Sequence, residues 1–138
     1  MSYDRETFRQ LAEQRLAEAQ LLLVNGYPSG AYYLAGYAIE CALKAKIAAT
    51  FRENEIPQLR RVRDVYTHDL SSLLAIAGLK DELEAEIKAN ESLRSHWAVA
   101  EGWSEQARYE IWTEESASAI LESIRGDEGL LRWLLNRL

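Results

Sequence analysis

Residues 30–47, GAYYLAGYAIECALKAKI, decide the fold. Leu34, Ala35, Ala38, Ile39, Ala42, Leu43 and Ile47 recur at spacings of three and four, the pattern of an apolar helical stripe. Ala31, Ala35, Gly36, Ala38 and Ala42 are small, so a neighbouring helix can approach closely. Tyr33, Tyr37, Glu40 and Lys44 fall on a second face at the same spacings. Glu40 lies between Ile39 and Cys41, where a buried carboxylate without a partner is costly. It therefore calls for a cationic or hydroxyl partner. Lys44, one turn on, is the local candidate, and an arginine from another helix is the alternative.

Working outward, an earlier helix is expected over residues 4–25, with Phe8, Leu11, Ala12, Leu16, Ala19, Leu22 and Leu23 on its core face. Asn25-Gly26 stops it, and the short connector through Pro28 makes the first two helices an antiparallel hairpin. Ser29 is the expected cap of the second helix, which reads on to about Asn54. Pro57 opens a loop holding Arg60, Arg61 and Arg63, the densest positive charge in the chain. Thr67 reads as the cap of a short helix that turns Leu70, Leu73 and Leu74 inward and ends at Gly78. The acidic stretch that follows, residues 80–93, reads as an exposed helix or a lid over the basic loop. Gly102 marks a break, Ser104 a cap, and a last helix starts near Thr113. Gly126 and Gly129 weaken or kink it. The fold class is all-α: one domain over residues 1–138, an antiparallel up-and-down bundle of four main helices with short pieces.

Composition bounds the function. The formal net charge of −6 argues against broad electrostatic binding to nucleic acid, although a local basic patch is compatible with it. No apolar run approaches the ~20 residues of a membrane span. The opening MSYDRETFRQ carries acidic residues and no apolar core, so no signal peptide is expected. The single cysteine, Cys41, excludes an internal disulfide and reads as a small core residue, which fits a reducing, cytoplasmic setting. Phosphate-binding glycine loops, CxxC pairs, H-E-x-x-H and G-x-S-x-G are all absent. With two histidines and one cysteine, neither a metal nor a cofactor is expected.

The stretch Arg63-Asp64-Val65-Tyr66-Thr67-His68 carries the candidate chemistry. An arginine can hold a phosphate, and an imidazole nearby can move a proton at a ribose hydroxyl. The competing reading makes His68 a packing residue hydrogen-bonded to a neighbouring helix. Arg108, followed by Tyr109, is a candidate to reach back and pair with Glu40, fixing helix register. Trp97, Trp103, Trp112 and Trp133 read as core or interface anchors.

Three pieces now stand in order: AYYLAGYAIECALKAKI, YTHDLSSLL and WSEQARY. Together they resemble the HEPN domain (higher eukaryotes and prokaryotes nucleotide-binding) along nearly the whole chain. The resemblance implies a helical bundle that commonly dimerises and acts around RNA or nucleotides. It often implies a toxin–antitoxin or defence-type pair in which the partner is a minimal nucleotidyltransferase. Ribonuclease members cut RNA without metal, using an arginine, a polar residue and a histidine. That pattern falls here on Arg63, Asp64 and His68. It lies earlier in the chain than in the nucleases, and Glu110 stands where relatives often have proline. Three functional classes follow: a metal-independent endoribonuclease; a non-catalytic helical dimer acting as a protein-interaction module, in which Glu40, His68 and Arg108 form an internal polar network; or a small-ligand pocket between helices in which Arg108 holds an anion. Glu40, Lys44, Arg108 and Tyr109 are the candidate ligand-binding or polar-network residues.

Overall fold

The computed structural model describes residues 4–50 and 67–138. Arg60, Arg61, Arg63 and Asp64, and the expected extension of the second helix to Asn54, lie outside the described residues. The fold is all-α, with no strand among the described residues. None of their helices is long and apolar enough to cross a membrane.

Helix α1 (Arg5–Val24) begins where the Asp4 carboxylate accepts from the Thr7 N–H at 2.8 Å, satisfying one of the orphan donors of the first turn. It ends at Gly26, whose φ of 85° is the left-handed conformation that glycine adopts most easily. The Gly26 N–H then reaches Leu23 O and the Tyr27 N–H reaches Leu22 O, closing the helix end. Helix α2 (Pro28–Ala49) follows at once with proline in its first turn. Ser29 is not its cap. The helix starts two residues earlier, behind Tyr27, and Ser29 Oγ accepts from the Trp112 N–H at 2.8 Å.

Helix α2 is the axis of the core. Ala31, Ala35, Ala38, Ile39, Ala42, Leu43, Ala45 and Ile47 are fully buried. Buried on nearly all sides, it touches α1 and most of the later elements. Ala12 and Ala19 of α1 are fully buried as well, so small residues face small residues where the hairpin closes.

The second half wraps around α2. Helix α3 (Leu70–Ile76) buries Leu70, Leu73 and Leu74 and stops at Gly78, whose φ is 75°. Its cap is Asp69, which accepts from the Ser72 N–H at 3.1 Å, and not Thr67. The Thr67 hydroxyl instead accepts from the Asp69 N–H at 3.2 Å. Helix α4 (Lys80–Ile87) is the acidic stretch, anchored by buried Leu83. It is tied to the end of the chain, where Arg137 is paired with Glu82 at 3.1 Å and with Glu86 at 3.3 Å, and the basic loop it was expected to cover lies outside the described residues. Helix α5 (Glu91–Glu101) is capped by Asn90, and a 3₁₀ turn (Glu105–Tyr109) by Ser104. The expected single last helix is two, α6 (Glu114–Ile124) and α7 (Leu130–Leu135). Gly126, at φ 87°, turns the chain sharply between them. Trp97, Trp103 and Trp133 are buried in the core, and Trp112 stacks on Tyr32 at 3.7 Å between ring centres.

Candidate polar site beside helix α2

Glu40 is buried in the middle of α2, with 2% of its side chain exposed. Two groups meet its Oε2. Lys44 Nζ donates at 3.0 Å from one turn on, the favourable Glu-before-Lys order along a helix. His68 Nδ1 lies at 2.9 Å, brought from 28 residues away by the segment leading into α3. Oε1 has no hydrogen-bond partner among the described residues. The buried carboxylate thus has the cationic partner it needs in Lys44, together with a neutral or charged imidazole.

His68 is held from both sides. Its side chain is 40% exposed, and its outer nitrogen Nε2 lies 3.3 Å from Glu105 Oε2. Both contacts are hydrogen bonds at once only for the doubly protonated ring, because a neutral imidazole carries one N–H. In the neutral ring a proton on Nδ1 keeps the bond to buried Glu40 and leaves Nε2 with an open lone pair. That is the state of a base whose orientation is fixed by a carboxylate behind it. His68 precedes the Asp69 cap, so it lies just outside the helix that the sequence reading placed it in.

Glu105 reaches His68 because the 3₁₀ turn is docked on α2 at both ends. On one side the Trp103 ring lies flat on Gly36, so close that a Cβ there would be 2.2 Å from Trp103 Cγ. Only glycine permits that approach. On the other side the Trp112 N–H binds Ser29 Oγ, and its indole N–H donates to Ala107 O at 3.0 Å. The sequence reading missed Glu105. Its one signal was a place directly behind the Ser104 cap, within the WSEQARY segment.

Arg108 does not pair with Glu40. It is solvent-exposed, its guanidinium 4.9 Å from the centre of the Tyr109 ring. Hydrogen bonds to Tyr109 and then Tyr33 hold it above the usual arginine range. In a 3₁₀ helix residues three apart eclipse, so Arg108 shares a face with Glu105. Tyr109 is 72% exposed.

Two neighbours on α2 complete the electrostatics. Burial, followed by Cys41 and Glu40, pushes the Tyr37 hydroxyl up. Burial and then Glu40 push the Cys41 thiol up to about 12, which leaves it a core residue without thiolate character. The described residues contain no group of three or more His, Cys, Asp or Glu arranged to hold a metal ion.

The structure thus brings Glu40, Lys44 and His68 together and sets Arg108 and Tyr109 on the flank. Arg63 and Asp64 lie outside the described residues. Comparison with curated proteins and with solved structures gives no significant match. The family model of the HEPN domain matches residues 6–138, and the chain belongs to that family. A nucleotide- or RNA-related function follows at the level of the family.

Proposed function

We propose that this HEPN-domain chain binds RNA and cleaves it without a metal ion, with His68 as the proton-transferring group. The observation that supports this reading is the Glu40–His68 contact. A buried carboxylate at 2.9 Å from Nδ1 fixes the ring, while Nε2 meets the part-exposed Glu105 carboxylate at 3.3 Å. Nε2 takes the proton of a ribose 2′-hydroxyl, whose oxygen attacks the adjacent phosphorus. The bond from phosphorus to the 5′-oxygen breaks, leaving a 2′,3′-cyclic phosphate. The 5′-oxygen leaves with a proton from an acid, which the imidazolium or a second copy's histidine can supply. Arg63 holds the scissile phosphate, and Asp64 orients Arg63 or His68, the positions on which the family pattern falls. The protein acts as a homodimer in a toxin–antitoxin or defence-type pair, with a minimal nucleotidyltransferase as partner, in the cytoplasm.

One observation favours a second reading. Glu105 stands on Nε2, so both ring nitrogens of His68 are engaged internally. In that case the domain is a non-catalytic helical dimer and the network only secures its fold. Cleavage of a mixed RNA pool in EDTA separates the two, with wild type, Arg63→Ala and His68→Ala checked for folding by circular dichroism. The ribonuclease reading expects cutting by wild type that disappears in both folded variants. Cutting by folded His68→Ala, or none by wild type, removes it.

A further inference from the structure

Glu105 is the second carboxylate on His68, at its outer nitrogen. When the ring is doubly protonated, a carboxylate oxygen 3.3 Å from its outer nitrogen stands where a phosphate oxygen would bind the same N–H. This contact is longer than the 2.9 Å contact to Glu40 and less enclosed, with the Glu105 side chain 34% exposed against 2% for Glu40. Glu105 sits on a five-residue 3₁₀ turn and is anchored by neighbours on either side of it, not by its own side chain. The carboxylate can swing away while Trp103 and Trp112 keep the turn in place.

Arg108 supplies the opposing attraction. Three residues along a 3₁₀ helix advance about 6 Å on one face, so Arg108 stands one turn from Glu105 on the same face. It forms no ion pair among the described residues; its partners are the Tyr109 and Tyr33 side chains. Its charge is therefore available to an incoming anion. Tyr109, exposed beside it, offers a ring on which a base can stack.

We propose that Glu105 and Arg108 form a phosphodiester subsite of single-stranded RNA, in which the Glu105 carboxylate occupies the outer nitrogen of His68 until a backbone phosphate, drawn by Arg108, displaces it. The inference rests on the RNA reading above and adds two residues to it. It makes Glu105 a selectivity device: a phosphodiester carries the same single charge as the carboxylate it replaces, so a ligand displaces Glu105 only if it reaches Arg108 as well.

The test is fluorescence anisotropy with a labelled, short 2′-O-methyl RNA, which binds but offers no 2′-hydroxyl for attack. It uses the full chain in EDTA at one fixed salt concentration. Glu105→Gln keeps the hydrogen-bonding shape and removes the charge, and should tighten binding about fivefold, the effect of one charge at ~4 Å in water. Arg108→Met should weaken binding by a similar factor, and the gain from Glu105→Gln should vanish when His68→Gln is added. Wild type that binds RNA while Glu105→Gln binds it no more tightly overturns the inference and leaves the RNA reading standing. Titration with inorganic phosphate, followed on the His68 ring protons, separates the converse. If RNA is not bound but phosphate shifts His68 more strongly in Glu105→Gln than in wild type, the anion subsite stands and the RNA reading falls. No response to either probe overturns the inference.

Discussion

Replacing Gly36 with alanine tests the contact that docks the 3₁₀ turn on α2. The added Cβ would meet Trp103 Cγ at 2.2 Å and Cδ1 and Cδ2 at 2.3 Å. Carbon atoms in contact ordinarily stand about 3.5–4.0 Å apart, so the ring must retreat by more than ~1 Å. It has little room, because Trp103 is 3% exposed and packs against Tyr33 at 5.9 Å between ring centres. Overpacking of this kind costs about 1–3 kcal/mol, and a rigid indole facing backbone belongs at the upper end. Alanine recovers about 1 kcal/mol of helix propensity over glycine, which leaves a net loss of about 2 kcal/mol. For a chain of this size that lowers the melting temperature by roughly 6 °C. Urea unfolding followed by tryptophan fluorescence gives the free energy directly. The displaced ring also carries Ser104 and Glu105 with it, so the His68 ring-proton shifts should move in the folded variant. A Gly36→Ala protein as stable as wild type, with unchanged His68 resonances, would refute the docking argument.

Three further outcomes follow from the same packing. Glu40→Ala leaves Lys44 and His68 without their buried acceptor and should cost about 3 kcal/mol in urea unfolding, more than most surface changes; a loss under about 1 kcal/mol would mean that the network contributes little. Gly126→Ala has no atom within 4 Å of its new Cβ, so only the backbone at φ 87° resists it. The expected loss is about 1 kcal/mol, with α6 and α7 unchanged by circular dichroism. Cys41 gives the pH dependence: its folded thiol, pushed up to about 12 by burial, stays protonated where the unfolded thiol, near ~8.5, ionises. Stability is therefore complete below the unfolded value and falls as pH rises, by about 2 kcal/mol between about pH 8 and about pH 10. Cys41→Ala should not show that component, and an equal fall in both proteins would contradict it.

Helix α2 was readable because its apolar spacing and small residues are local properties of the sequence. So were the stops at Gly26 and Gly78, where a turn needs positive φ. Capping was less readable, since several residues near each end could serve. Ser29 and Thr67 have the right chemistry, but Pro28 and Asp69 take the helix starts and leave those hydroxyls to other donors. The last helix divides because Gly126 adopts the left-handed conformation, a choice that sequence alone leaves open to glycine. The site follows the same division. That Glu40 required a cation, and that Lys44 could provide it, came from burial and a four-residue spacing. That His68, 28 residues on, is the other partner is a matter of tertiary packing. Arg108 was expected there because it is an arginine. The 3₁₀ turn brings Glu105 to His68 instead, while the Arg108 side chain engages Tyr109 and Tyr33.

His68 can serve as a base at its outer nitrogen only when the neutral ring carries its proton on Nδ1, toward the buried carboxylate. Long-range proton–nitrogen NMR of the His68 ring, recorded where the ring is neutral, reads this tautomer directly. The expected spectrum shows a proton on Nδ1, bonded to Glu40, with Nε2 unprotonated and a clear change of the Nδ1 resonance in Glu40→Gln. A neutral ring protonated on Nε2 would contradict it, because Glu40 would then have no imidazole N–H and the outer nitrogen would be no base.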